Sequence, residues 1–242
     1  MLPEVSIIIP CLNEAATLPI VIEKALRSFK RLHLKGEVVV ADNGSTDGSV
    51  KVASKFGARV VHCSQKGYGN ALRCGFKNAK GKYLIMGDAD DSYDFSRIDK
   101  FIDELKNGTD LVMGTRLKGT IHKGAMPALH RYLGTPVLTF LINIFFGIKI
   151  SDCNCGMRGL TRTAFDKLQM VSGGMEFASE MVIKAGIKKL KIKEIPIHFY
   201  PDKRGRKPHL KTWSDGWRHL KFIFGSLFSK SVLVREAKKN GR

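Results

Sequence analysis

Three carboxylates within four residues, Asp88, Asp90 and Asp91 around Ala89, repel one another unless a cation neutralises them. All-oxygen ligands suit Mg2+ or Mn2+. A metal held by Asp88 and Asp90 would bridge the protein to a substrate diphosphate and stabilise the charge on a leaving group. The short side chain of Ala89 leaves room for a ligand between the two acids. Alone, the run reads equally well as a solvated acidic loop. Its setting separates the two readings, because it directly follows the apolar run 83–86. Two further polar groups follow apolar runs in the same way. Glu14 lies just past 5–9, where it could bind ribose hydroxyls or favour a helix start by its charge. Asp42-Asn43-Gly44-Ser45-Thr46-Asp47 follows 37–41. Asp, Asn and Gly suit the turn, and Ser45 to Asp47 suit a helix cap. Asp42, first off the run, could accept from a nucleobase N–H.

The chain carries 41 Lys and Arg against 22 Asp and Glu, a formal net charge of +19. Such a balance points to an anionic partner: nucleic acid, an anionic membrane or phosphorylated small molecules. Lys203, Arg204, Arg206, Lys207 and Lys211 cluster in sequence and suit phosphate contacts, arginine bidentately. A nucleic-acid-binding protein would explain the charge but not the acidic groups, and no helix-turn-helix, finger or RNA-binding signature is present. Residues 65–70 are glycine-rich, yet lack the Walker ending and the dinucleotide fingerprint. They suggest flexible backbone near a substrate. The five cysteines need not form a scaffold in a chain of this size and are expected to be mostly reduced, hence cytosolic. Cys153 and Cys155 lack a second pair or a histidine at zinc-site spacing.

Apolar runs alternate with helical patterns through the first half. Residues 5–9, 37–41, 58–62, 83–86 and 110–113 read as strands, and 18–29, 50–56, 70–79 and 98–105 as helices. This predicts an α/β fold, a Rossmann-like, mostly parallel sheet with helices on both faces. Ligands of such sheets bind beyond the carboxyl ends of the strands. Glu14, Asp42 and 88–91 all fall at such ends, so clusters separate in sequence should meet in one crevice. In the second half, 127–146 reads as an amphipathic helix or a pair, and 151–158 as a loop or short strand. Residues 174–187 and 213–228 read as helices, and 192–199 as a strand. No repeat or linker divides the chain. One catalytic domain is expected over 1–228, with halves 1–115 and 116–228, and a basic tail over 229–242. The start shows no signal-peptide pattern, and the apolar stretch 136–148 is too short to span a bilayer. That stretch would form a buried core helix or lie in a membrane interface. Trp213 and Trp217, four apart beside Arg218 and Lys221, read as core residues or lipid contacts.

The motifs Pro10-Cys11-Leu12-Asn13-Glu14, Asp42 to Asp47, Lys66-Gly67-Tyr68-Gly69-Asn70-Ala71 and Gly87-Asp88-Ala89-Asp90-Asp91 resemble, in order and spacing, those of the family 2 inverting glycosyltransferases of GT-A fold. The resemblance is closest to the dolichyl- and polyprenyl-phosphate sugar synthases. It continues through 152–158, 174–180 and 199–207 and covers residues 4 to about 228. It implies sugar transfer from a UDP- or GDP-sugar to a lipid phosphate, with inversion, at the cytoplasmic face of a membrane that the protein meets peripherally. C-terminal amphipathic helices would lie in the interface.

Residues and resemblance together give an expected site. The nucleotide sugar would be held by Pro10, Asn13, Glu14, Asp42, Asn43, Lys66, Gly69, Asn70, Asp88, Ala89 and Asp90. Asp88 and Asp90 would hold Mg2+ or Mn2+. Arg116, Arg131, Lys203, Arg204, Arg206, Lys207 and Lys211 would meet phosphates, and Asp90, Arg116, Arg131 and Asp152 would act in the reaction. A phosphate acceptor is already anionic, so the protein must mainly position two anions and offset their repulsion. A soluble hydroxyl acceptor would instead need a base, with Asp152, Glu176 and Glu180 as candidates. Glu176 and Glu180, four apart, also read as a helix-surface pair. Two departures stand out. Many relatives carry transmembrane helices where 229–242 is short and basic, and Ser92 and Tyr93 stand where the mannose synthases carry a glutamine. A sugar nucleotidyltransferase would place a basic glycine-rich loop where Cys11 to Glu14 stand.

Overall fold

The computed structural model describes residues 2–205 and 212–239. Its elements are β1 (Val5–Cys11), α1 (Leu18–Arg31), β2 (Gly36–Asp42), α2 (Ser49–Lys55), β3 (Arg59–His62), α3 (Tyr68–Asn78), β4 (Tyr83–Met86), α4 (Asp99–Lys106), β5 (Leu111–Ile121), α5 (Thr135–Phe146), β6 (Arg158–Thr161), α6 (Arg162–Leu168), α7 (Phe177–Ile187), β7 (Ile192–Phe199) and α8 (Thr212–Lys239). The seven strands form one sheet in the order β3-β2-β1-β4-β6-β5-β7. Only β6 runs antiparallel to its neighbours, so the sheet is mostly parallel as expected.

Alternating side chains feed two apolar layers. Val5, Ile7 and Ile9 of β1 join Val38 and Val40 of β2 beneath α1 and α4. Ile8, Val39, Leu84 and Met86 point the other way, under α3 and α7. A strand buried on both faces must be apolar throughout, which is why these runs are legible in sequence.

The second half departs from expectation in detail. β6 and α6 carry little periodic signal and were not anticipated. β5 runs well beyond 113, and α8 takes in most of the stretch read as a tail. Residues 127–146 resolve into a π-helical turn (His130–Gly134) leading into α5. α5 is buried on one face, as a core helix requires, and exposed on the other. Leu138, Ile142 and Phe146 are buried, whereas Val137, Phe140 and Ile144 are exposed. Trp213 and Trp217 are exposed, not core. Glu180 is no surface partner of Glu176. It is fully buried, accepts from the amides of Val171 and Ser172 at 2.8 and 2.7 Å, and pairs with Lys184 at 2.6 Å. Most of the cysteines are free as expected, but Cys63, just after β3, and Cys74 of α3 are paired in a disulfide. Cys11, Cys153 and Cys155 are free and buried, and burial pushes the latter two thiols up to about 12.

Candidate active site

The sheet is wound in both directions from β1, towards β2 and β3 on one side and β4 on the other. A crevice opens at such a switch point, outside the strand ends. The loops after β1 and β2 are stitched together there. The Asn13 side-chain oxygen accepts from the Thr46 amide at 2.7 Å, and the Glu14 amide donates to Ser49 Oγ at 2.8 Å. Asp47 accepts from the amides of Ala15 and Ser49, both at 3.0 Å, so it serves the turn and the start of α2 as anticipated. Asp42 accepts from the Gly44 and Ser45 amides at 3.2 and 3.1 Å. Burial alone would push Asp42 up, but the Ser45 and Gly44 donors hold it below the usual carboxylate range. It therefore stays an anionic acceptor at the end of β2.

Several residues expected to contact the nucleotide are tied into the loops around the strand ends. Asn43 Nδ2 donates to the carbonyls of Cys63 and Gln65 at 3.1 and 2.8 Å, and its oxygen accepts from the Gly67 amide at 2.8 Å. Lys66 Nζ donates to the Asn43 carbonyl at 2.6 Å, and Asn70 Nδ2 to the Lys66 carbonyl at 3.0 Å. Pro10 sits in β1 opposite Ala41. Gly69 is required for close packing, since a Cβ there would lie 2.5 Å from the Ser172 carbonyl oxygen. Ala89 is buried in the apolar layer, so its small size suits the core and does not open space for a ligand.

The acidic loop follows β4. Tyr68 Oη donates to Asp88 Oδ1 at 2.9 Å. Burial and the Asp88 charge hold the Tyr68 phenol well above its ordinary value, so it remains a donor. Asp90 Oδ1 accepts from the amide and hydroxyl of Ser92 at 3.0 and 2.6 Å, and Oδ2 lies 3.2 Å from Arg204. Asp91 is a different kind of residue. It has φ of +61°, is 1% exposed, and is held by Lys24 and Lys203 at 2.7 Å each. Both its oxygens are committed to ion pairs, which makes it a strut for the loop.

Burial and the like charge of Asp90 push Asp88 up to about 7, although the Tyr68 hydrogen bond and the charges of Arg204 and Arg116 act the other way. A divalent cation between the two carboxylates would relieve that repulsion. Both supply only oxygen, so the residues fit Mg2+ or Mn2+. Among the described residues no group of three or more His, Cys, Asp or Glu could hold a metal. A cation held by Asp88 and Asp90 would therefore draw its other ligands from outside these side chains. A pH dependence follows. Below pH 7 a proton competes for Asp88, so Mn2+ affinity should fall about tenfold per pH unit. Mn2+ titrations between pH 5.5 and 8 read this out. The same raised value means that the folded state of the metal-free protein keeps a proton which the unfolded chain releases, so this group's contribution to stability declines as pH rises towards 7.

Beyond the acidic loop, Arg116 and Asp152 form a buried bidentate pair at 2.7 and 2.8 Å, and the Arg116 amide adds a bond at 3.0 Å. Asp152, fully buried, is thereby committed to orienting Arg116. Arg116 lies over the Phe199 ring, 5.1 Å from its centroid, near enough to Asp88 and His130 to act on the titration of both. Arg131 is exposed, and its guanidinium lies over the Tyr132 ring, 5.3 Å from its centroid. Its neighbour His130, overlooked in sequence, faces the Arg116 charge and bonds Thr212 at 3.1 Å. Arg158 was also missed. It is fully buried and donates to the carbonyls of Cys155, Ala178 and Cys153 at 2.9, 2.8 and 2.7 Å, fixing the 153–155 loop. Lys203 and Arg204 reach the crevice, whereas Arg206, Lys207 and Lys211 lie outside the described residues.

This architecture has known counterparts. The chain is 42% identical over 232 residues to the low-salt glycan biosynthesis hexosyltransferase Agl6 of Haloferax volcanii, covering 94% of this chain and 55% of that protein. It thus spans little more than half the length of that relative. It is 30% identical over 167 residues to the dolichyl-phosphate hexose transferase of the same organism, covering 68% of this chain and 70% of that one. Among solved structures, glucosyl-3-phosphoglycerate synthase from Mycobacterium tuberculosis, in complex with Mn2+, UDP and glucosyl-3-phosphoglycerate, superposes with a TM-score of 0.72 at 20% identity, covering 93% of this chain and 80% of that one. The model of glycosyl transferase family 2 matches residues 6–169, which takes in nearly all of β1 through α6 and includes Glu14, Asp42, Asp88 and Asp90. The chain belongs to glycosyl transferase family 2.

Proposed function

We propose that the chain transfers a sugar, with inversion, from a nucleotide diphosphate sugar to the phosphate of a polyprenyl or dolichyl carrier at the cytoplasmic surface of a membrane. The observation that carries this is one crevice with an acidic donor side, Glu14, Asp88 and Asp90, and a buried, bidentately oriented arginine, Arg116, on the other. Asp42 and Glu14 would receive the nucleoside, and Asp88 and Asp90 the metal. When bound, Mg2+ or Mn2+ stabilises the negative charge that develops on the departing diphosphate. Arg116 would hold the acceptor phosphate in line with the anomeric carbon. Lys203 and Arg204 add positive charge at the same mouth. An anionic acceptor oxygen needs no general base, which agrees with the commitment of Asp152 to Arg116.

The lipid carrier is favoured by the surface beside this mouth. Among the described residues no helix is long and apolar enough to cross a membrane. Yet α5 exposes Val137, Phe140 and Ile144, and α8 exposes Trp213, Trp217 and Phe224. The two helices are neighbours, for Phe145 meets Phe224 at 5.9 Å and His130 bonds Thr212. Arg218 and Lys221 flank the tryptophans. Exposed apolar rows edged by basic residues suit an anionic lipid interface. The similarity to a dolichyl-phosphate hexose transferase supports the same acceptor class.

The test uses anionic vesicles carrying polyprenyl phosphate, Mn2+ and labelled UDP- and GDP-sugars. Label should move into the organic extract. Phe140→Ser with Ile144→Ser should weaken vesicle partition by about tenfold or more, from the loss of two apolar side chains that each contribute roughly 1.5–3 kcal/mol when fully buried. Label that entered only a soluble glycan would overturn the lipid acceptor.

A further inference from the structure

The segment after β7 folds back over the acidic loop. The Tyr200 amide donates to the Ser92 carbonyl at 3.0 Å, and the Lys203 amide to the Asp90 carbonyl at 3.1 Å. The next residue places a guanidinium among three carboxylates. Arg204 Nε donates to Asp202 at 2.8 Å, Nη1 to Glu14 Oε1 at 3.2 Å, and Nη2 lies 3.2 Å from Asp90 Oδ2. The Arg204 side chain is only 12% exposed. Glu14 and Asp90 come from the loops after β1 and β4, so one cation spans the crevice into which the nucleotide sugar must pass.

We infer that Arg204 is a resident counter-cation of the donor crevice, which a divalent metal must displace from Asp90 before the site can take a nucleotide diphosphate. The inference rests on the donor-site reading given above.

The exchange follows from charge. A guanidinium does not deprotonate, so it cannot leave by losing a proton. Asp88 and Asp90 are costly to hold ionised together, and Arg204 offsets part of that cost while no metal is bound. Across the crevice it meets only one oxygen each of Glu14 and Asp90, its other hydrogen bonds going to Asp202, whereas a divalent cation would meet both Asp88 and Asp90 with twice the charge. Asp202 lies on the same segment as Arg204, so that ion pair can move as a unit while the contacts to Glu14 and Asp90 break.

The experiment follows Mn2+ alone, by electron paramagnetic resonance, binding to the nucleotide-free protein. Arg204→Gln should tighten Mn2+ binding about three- to tenfold, the scale of one charge-assisted contact in a partly exposed site. Lys203→Gln removes the same charge from the same segment, but from Asp91, and should change affinity less than about twofold. In the wild type, Mn2+ alone should speed hydrogen exchange at the Lys203 and Arg204 amides. Binding that requires Asp90 but is no tighter in Arg204→Gln than in Lys203→Gln would overturn the inference and leave the donor site standing. Binding that does not require Asp90 would overturn both.

Discussion

Substituting Asp90 by alanine is expected to lower sugar transfer by about a thousandfold or more, and to abolish Mn2+ binding. Asp90 is one of the two carboxylates proposed to hold the metal, and the leaving diphosphate would depend on that charge. The same side chain accepts both Ser92 donors at 3.0 and 2.6 Å. Alanine would leave those donors without their acceptor and release the Arg204 contact, at a cost of about 1–3 kcal/mol. Asp90→Asn separates the two roles. It keeps an acceptor oxygen for Ser92 and so should melt near the wild type, while transfer and metal binding fall as far as in the alanine variant. Thermal melting beside a labelled-sugar assay distinguishes them, and activity retained in Asp90→Asn would remove the metal from this position.

Arg116→Ala should be the most destabilising single change in the acceptor half and should also raise the acceptor KM strongly. It strands Asp152 as a fully buried, uncompensated carboxylate. Burial would push Asp152 up, and the Arg116 charge and hydrogen bonds are what hold it low. Breaking such a pair costs about 3–5 kcal/mol. Arg116→Lys should rescue little, because a lysine cannot reproduce the two parallel bonds at 2.7 and 2.8 Å. Arg116→Met combined with Asp152→Asn removes both charges, so most of the stability should return while the acceptor KM stays high and the donor KM changes little. Recovery of acceptor affinity in the double variant would show that Arg116 has only a structural part.

The first half of the fold was legible because its central strands, β1 and β4 above all, are buried on both faces. β1 is apolar but for the hydrogen-bonded Ser6, because Ile7, Ile8 and Ile9 are all fully buried in two different layers. The crevice was legible for the same reason, since polar residues that directly end such runs have to lie at the strand ends. β6 was not, because Arg158-Gly159-Leu160-Thr161 offers one large apolar side chain and a charge. Its burial is made possible by three carbonyl partners that no periodicity reveals. Where a residue type suits both a ligand and a turn, its structural partners are invisible in sequence. Asn13 and Asn43 join loops, Gly69 admits the 172–174 backbone, and Asp91 is locked between two lysines. The pairing of Arg204 with Glu14 crosses 190 positions of sequence and could be found only in three dimensions.

The most direct test of the donor site is a calorimetric titration of UDP and GDP into the protein with Mn2+ and with chelator. One of the two nucleotides should bind in the presence of Mn2+ and at least about a hundredfold more weakly without it, and Asp90→Asn should behave in Mn2+ as the wild type does in chelator. Equal affinity with and without metal, or binding that Asp90→Asn leaves intact, would contradict a metal-dependent nucleotide-sugar site at Asp88 and Asp90.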